Sequence, residues 1–344
     1  MPVFVCFRPR HVWTAIEMAD RSSRQEKTCY VLATGVVACM RELAVRLRCE
    51  SNATVYTVNE DHLKSLIYAG RSRVLKLVRL ALLRRHVNFL RHDLGDLRRF
   101  GKRFIFHDQT ILGQFVLRSF WPVSLVEDGV STYHPKRFGI ERRIKTLGGV
   151  FAPGYDPRIR RIYLYHPERY AGLSFWKVRP IPARAPQARG VDTDELLKSL
   201  FRLQSSLRTL ETCSDAKRIQ VVLTQPLSQV GLVSRTEHEE FYRCFVNQLP
   251  RPVLLKRHPQ DDVIYPFEHD GEIEGCLPYE LLTEVLPADR VSFWTMFTST
   301  TGVNANVVVH SLTTATESQS SKRRIIKSVI SGESIAAYSD AKNS

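Results

Sequence analysis

This sequence predicts two α/β domains, each built on a doubly wound parallel sheet. Three observations carry that expectation. The chain has 344 residues, enough for two domains of ordinary size. From the N-terminus onward, short apolar runs rich in β-branched residues alternate with amphipathic stretches, the rhythm of βα units in a parallel sheet. A proline-rich basic segment without periodicity, KVRPIPARAPQARG at 177–190, interrupts the alternation and reads as a linker.

Val3–Phe7 reads as a buried strand, and the turn Arg8-Pro9-Arg10 leads into a helix over Thr14–Asp20. Cys29–Thr34 is the next strand, Gly35 a turn and Ala38–Leu47 a helix. Ala53–Val58, Arg103–His107 and Val123–Val126 are further strands. Beyond the linker, Asp192–Leu210 reads as one helix capped by Asp192 or Thr193, and Arg218–Thr224 as a strand. Thr236–Leu249 is a helix with Thr236-Glu237-His238-Glu239 as its capping box. Pro252–Lys256 is a strand ending at His258-Pro259, and Arg290–Thr295 runs toward a hydroxyl cluster. After about Ser311 comes a Ser/Thr-rich tail with a short helix over Lys322–Ile330. The predicted boundaries are a first domain at 1–178, a linker at 179–190, a second domain at 191–315 and a tail at 316–344. Two Rossmann-like domains facing a cleft form the architecture called GT-B. In open α/β sheets, ligands bind beyond the carboxyl ends of the strands.

Hydrophobic content of 43% supports packed cores. Apolar runs are too short to span a bilayer. Residues 1–7 start directly as a strand with no basic stretch before it, so no secretory signal is expected. The seven cysteines are scattered without a C-x-x-C, which predicts reduced thiols, a cytoplasmic location and no role for the sequon at Asn52. Metal-ligand spacing is missing as well. The net charge of +15 concentrates at 71–103, where Val74, Leu77, Leu80, Leu82, Leu83, Val87 and Leu90 recur at roughly helical spacing among Arg and Lys. Such a basic amphipathic helix suits an anionic membrane surface or ligand, or else covers a core with a solvated basic face. Nucleic acid is not expected, because neither a zinc finger nor an RNP-like run accompanies the charge.

Two motifs sit at predicted strand ends. One is Glu127-Asp128-Gly129. The other is Lys256-Arg257-His258-Pro259, followed by Pro278-Tyr279-Glu280 and by Thr298, Ser299, Thr300 and Thr301. Glycosyl transfer from a nucleotide-activated sugar requires a base for the acceptor hydroxyl and charge stabilisation for the departing phosphate. Glu127 or Asp128 can supply the base, since adjacent carboxylates raise one another's pKa. His258 can donate to the phosphate, with Pro259 fixing the backbone beyond it. Lys256 adds positive charge, Glu280 can accept from ribose hydroxyls, and Thr298, Ser299 and Thr300 suit phosphate oxygens. His-Pro alone means little, because His134-Pro135 and His166-Pro167 repeat it. Only His258 follows a clear apolar strand and precedes Pro-x-Glu at short range.

In order and spacing these motifs resemble those of the bacterial sialyltransferases: an acidic pair before glycine, an H-P motif and a later hydroxyl pair. The nearest resemblance is to glycosyltransferase family 52, the lipooligosaccharide sialyltransferases, with the capsular polysialyltransferases second. VCFRPRHVWTAIEMA near the start, LTQPLSQVGLVSRTEHEEFY at 223–242, LLKRHPQDD at 254–262 and LPYELL at 277–282 support it. The resemblance implies an inverting, metal-independent transfer from CMP-sialic acid to lipooligosaccharide or capsular glycan, with no cofactor. It implies an acceptor-side first domain and a nucleotide-sugar-binding second domain. It also implies a homodimer as one expected assembly and a peripheral position on the inner face of the inner membrane. By residue, Glu127 is preferred over Asp128 as base, His258 serves the CMP phosphate, Lys256 and Glu280 contact the nucleoside, and Ser299 with a neighbouring threonine holds the phosphate. Some relatives carry an acidic residue where this chain has Gln229-Val230-Gly231, so that alternative base is missing. Two other classes are a surface-glycan transferase with a different donor and a non-catalytic glycan- or membrane-binding protein on the same scaffold.

Overall fold

The computed structural model describes residues 1–20, 27–35, 37–69, 73–87, 89–90, 94, 97–128, 130–133, 151, 154–172, 174–181, 190–213, 216, 218–286, 289–298, 308–314 and 317–335. The chain forms two compact units, Met1–Leu200 and Phe201–Ser344.

The first unit is a wholly parallel seven-stranded sheet. Its strands are β1 Pro2–Cys6, β2 Cys29–Thr34, β3 Thr54–Asn59, β4 Lys102–Ile105, β5 Val123–Val126, β6 Ile159–Leu164 and β7 Val178–Pro180, in spatial order β3-β2-β1-β4-β5-β6-β7. Strands β1 and β2 are buried end to end, as the apolar runs PVFVC and CYVLAT require of strands covered on both faces. The helices are α1 Pro9–Asp20, α2 Met40–Glu50, α3 Glu60–Tyr68, α4 Arg73–Ala81, α5 Leu83–His86, α6 Ile111–Ser119, α7 Val130–Tyr133 and α8 Val191–Leu200. Asn59 caps α3 by accepting from the Asp61 and His62 amides, and Thr110 caps α6 by accepting from Gly113. The strand order reverses between β1 and β4, so the switch point lies where α1 leaves β1 and the His107-Asp108 loop leaves β4.

The second unit is a parallel five-stranded sheet of β8 Ile219–Leu223, β9 Val253–Lys256, β10 Gly271–Ile273, β11 Val291–Thr298 and β12 Val308–Thr314, ordered β10-β9-β8-β11-β12. Its helices are α9 Leu203–Glu211, α10 Arg235–Asn247, α11 Tyr279–Val285 and α12 Gln319–Ile330. Phe241, Phe245 and Val246 of α10 pack with Val222, Leu255 and Ile326 into one core. Here the switch point falls between β8 and β11.

Several sequence expectations shift. The single helix expected over Asp192–Leu210 is two, because Arg202 adopts the left-handed conformation at φ 49°. The first of them, α8, packs on α1 and α2, and Arg46 Nη1 donates to Leu200 O at 2.8 Å, which carries the first unit past the expected linker to Leu200. The capping box of α10 is Ser234 with Glu237, not a box begun by Thr236: Ser234 Oγ accepts from the Glu237 amide at 3.1 Å, and the Glu237 carboxylate accepts from the Ser234 amide at 2.9 Å. The basic stretch at 71–103 is not one helix, for α4 ends at Ala81 and α5 is a separate turn at Leu83–His86, and Leu83, Val87, Leu90, Leu94 and Leu97 are core residues. Four strands lay outside the expected set: β6, whose Arg160 and Arg161 break its apolar run, and the short or polar β7, β10 and β12. The expectation of reduced thiols holds for Cys6, Cys29, Cys49, Cys213 and Cys244 and not for Cys39 and Cys276. Among the described residues, no helix is long and apolar enough to cross a membrane.

Candidate active site

In the first unit, the carboxyl ends of β1, β4, β5 and β6 bring together a group of charged and aromatic side chains. Glu127 and Asp128 follow β5 directly, and their side chains enter different surroundings. Glu127 is buried, and its Oε1 accepts from Arg10 Nη2 at 3.1 Å. Its Oε2 accepts from the Tyr133 hydroxyl and from the Tyr165 amide, the latter at 3.0 Å. Three donors on two oxygens make Glu127 an anchor that ties α1, α7 and the end of β6 to β5.

Asp128 meets the switch point instead. Its Oδ1 accepts from His11 Nε2 at 2.7 Å and lies 3.7 Å from Arg8 Nη1, while Oδ2 lies 3.7 Å from His107 Nε2. The His11 tautomer follows from its second contact: Nδ1 accepts from the Phe7 amide at 3.1 Å, so the ring proton sits on Nε2 and points at Asp128. Burial pushes the His11 imidazole down to about 4, which keeps it neutral. Stacking on Phe106, with ring centroids 4.6 Å apart, holds the ring in place. Burial works against the Asp128 charge, yet the Arg8 guanidinium, His107 and His11 outweigh it and hold the carboxyl well below the usual carboxylate range. With His11 neutral, its contribution is a hydrogen bond. The mutual raising of adjacent carboxylates expected from the sequence therefore does not occur at Asp128. Burial also lowers His107, and pushes Asp108 up to about 7 although Asp108 Oδ2 accepts from the Gly154 amide at 2.9 Å.

In the second unit the corresponding place is the end of β9. Lys256 is buried, and burial pushes its ammonium down to about 8 against the pull of Glu280 and Glu274. Its Nζ donates to Gly275 O at 3.5 Å, a loose contact for a cation. Glu280 is buried in the first turn of α11. The His258 amide donates to Thr224 Oγ1 at 3.0 Å, and His258 Nδ1 accepts from the Gln260 amide at 3.1 Å, so a neutral His258 carries its proton on Nε2. Beneath this loop lies a buried polar network. Asp261 accepts from the hydroxyls of Thr224 and Tyr265 and from the Val263 amide, and His238 joins through Tyr265 at 3.1 Å and Ser228 at 3.0 Å. Arg257 turns away to Glu272, at 3.2 Å.

No family model matches the chain, and no curated protein matches it. Among solved structures, it is similar to an α/β-galactoside α-2,3-sialyltransferase from Photobacterium phosphoreum, at 9% identity over 98% of both chains with a TM-score of 0.52. The fold is GT-B. Lower-scoring similarities are to a UDP-GlcNAc 2-epimerase from Neisseria meningitidis bound to UDP-GlcNAc (10% identity, 96% and 90% coverage, TM-score 0.46) and a spinosyn rhamnosyltransferase (12%, 86% and 74%, 0.44).

Lys256, His258 and Pro259 lie at the end of β9, and Glu280, in the first turn of α11, acts on the Lys256 charge. Thr298 is the last residue of β11, next to β8 and β12. Gly129, Ser299, Thr300 and Thr301 lie outside the described residues. His11, His107, Arg8 and Asp261 went unrecognised in the sequence. RPRH directly after the first strand was the available signal for two of them, since a strand followed at once by cations and a histidine marks a sheet's ligand end.

Proposed function

We propose that the protein is an inverting glycosyltransferase that moves sialic acid from CMP-sialic acid onto a cell-surface glycan. The observation that carries this reading is the end of β9: a buried, loosely held Lys256 ammonium near Glu280, beside a His258 whose Nδ1 is occupied and whose Nε2 bears the proton. That set suits a nucleoside monophosphate, with cation and N–H for the phosphate and a carboxylate for ribose hydroxyls. The second unit would hold CMP, with Thr298, Ser299 and Thr300 adding hydroxyls as the family resemblance implies. The first unit would hold the acceptor.

Asp128 is the better base than Glu127, whose oxygens are occupied by Arg10, Tyr133 and Tyr165. The acceptor oxygen forms its bond to the anomeric carbon while the bond from that carbon to the phosphate oxygen breaks. The hydroxyl proton passes to Asp128, and His258 Nε2 donates to the departing phosphate. A carboxylate held below its usual range is a weak base in the resting site. It takes the proton late, as the attacking oxygen becomes acidic. His11 fixes the carboxylate's orientation throughout.

Thermal unfolding with CMP, UDP and GDP tests the donor. Stabilisation by CMP and not by the others is expected, with His258→Ala folded but unable to release CMP from the donor. Stabilisation by UDP or GDP alone would replace this reading with that of a surface-glycan transferase using another donor.

A further inference from the structure

We infer that the edge of the first unit opposite the candidate active site is a docking surface for an anionic bilayer. Three separate segments expose large apolar side chains there. In α4, Val74 (71% exposed), Leu75 and Val78 fall within about 100° of one another around the helix axis, a stripe aimed at solvent rather than at the core. Trp121, 65% exposed, precedes β5, and Phe175 and Trp176, 70% and 61% exposed, precede β7 with their rings edge to face at 5.5 Å.

Topology puts these segments on one edge. Trp121 and the Phe175-Trp176 turn lead into the amino ends of β5 and β7, which flank β6 in the same parallel sheet. Helices α3 and α6 start from the carboxyl ends of β3 and β4 and run back toward the amino ends. Both are tied to α4 at their C-terminal ends: Arg79 Nη1 donates to Ala69 O at 2.8 Å, and Arg118 Nη1 of α6 contacts Ala81 O at 3.5 Å. Helix α4 thus lies along the edge, and its last turn adjoins the α6–β5 turn that carries Trp121.

The charge on this edge selects the occupant. Lys102, Arg160 and Arg161 stand exposed at the starts of β4 and β6, and Arg79 borders the α4 stripe. Protruding tryptophans and valines among cations are suited to a headgroup layer, where the rings and aliphatic tips enter the acyl boundary and the cations meet phosphates. The expected contact narrows from residues 71–103 to α4, and gains two aromatic segments with no counterpart in that stretch. In combination with the transferase reading, and resting on it, the site at the other ends of the strands stands about 20 Å above the membrane, from a rise of about 3.3 Å per residue over β6. That height suits the outer sugar of a lipid-linked oligosaccharide and not the sugar joined to the lipid.

Flotation of the full-length protein with vesicles tests the inference without any sugar transfer. Vesicles of phosphatidylcholine with about one-third phosphatidylglycerol are expected to carry the protein at least about tenfold better than phosphatidylcholine alone, and high salt to weaken the association. Val74→Asp with Val78→Asp, and separately Trp121→Ser with Trp176→Ser, are each expected to cut binding on the order of tenfold or more, with unchanged circular dichroism and CMP response. Ile264→Asp, at an exposed apolar residue of the second unit, is expected to leave binding as it was. No flotation with anionic vesicles, equal flotation of the variants, or concentration-dependent self-association relieved by the same substitutions without lipid binding would overturn it.

Discussion

Replacing Lys256 with methionine separates what the residue does for binding from what it costs in stability. Methionine keeps a long, flexible chain in the buried channel and removes the charge. The ammonium is held at about 8 in place of 10.5, with burial as the main cause. At about 1.4 kcal/mol per unit, keeping it charged at pH 7 costs roughly 3 kcal/mol. The direction follows from proton counts. Between pH 8 and 10.5 the unfolded chain binds a proton that the folded chain has released, so stability gains from rising pH in that window. Below pH 8 the full penalty is present. Lys256→Met is therefore expected to be more stable than the wild type at pH 7, by up to about 3 kcal/mol, with the difference shrinking toward pH 10.5. Groups titrating alike in both proteins cancel in the comparison. A phosphate beside the ammonium restores its proton, so CMP affinity in the wild type is expected to fall as pH rises above 8, and to be weak and flat across that range in the variant. Urea unfolding from pH 7 to 10 with and without CMP measures both effects. A variant less stable than wild type at pH 7, or one stabilised equally by CMP, would refute the reasoning.

Three further outcomes are expected. Asp128→Asn should lower transfer about 10²- to 10⁴-fold while the CMP response persists, whereas Glu127→Gln should act chiefly on stability, costing about 3–5 kcal/mol by breaking the buried pair of Glu127 with Arg10; kinetics and melts on the pair distinguish the roles. His11→Asn should flatten the acid limb of the stability profile between pH 6.5 and about 4, where the unfolded chain takes up a proton that buried His11 refuses; an unchanged limb would place the titration elsewhere. Gly113→Ala should cost about 3 kcal/mol or more, because a Cβ there would stand 2.1 Å from His107 O, and it should disturb the His107 loop enough to be visible in activity as well as in a melt.

Much of the fold was legible because the central strands are apolar runs bounded by turns. Cys29–Thr34 and Val123–Val126 occur as read. The strands that escaped notice have local reasons. Two adjacent arginines interrupt β6, and Ser311–Thr314, which continue β12, have the composition of a loop. Pairing against a neighbour, not local pattern, makes these segments strands. The break at Arg202 leaves no sequence signal, since arginine has no intrinsic preference for positive φ.

The site divides along the same line. Lys256 and His258 were legible because a strand end positions them directly. The surroundings of Glu127 and Asp128 were not, because they depend on what arrives from other strands. Consecutive residues at a strand end point to opposite sides, so one of the pair meets Arg10, Tyr133 and Tyr165, and the other meets His11, Arg8 and His107. All of these but Tyr133 come from β1, β4 or β6 and the segments leaving them, which are far away in sequence and adjacent only once the sheet order is known. The acidic pair therefore acts as two unlike carboxylates. One is consumed in holding the switch point together. The other is oriented by a neutral histidine and held ionised by a guanidinium, and this difference in environment argues for Asp128 as the reacting group.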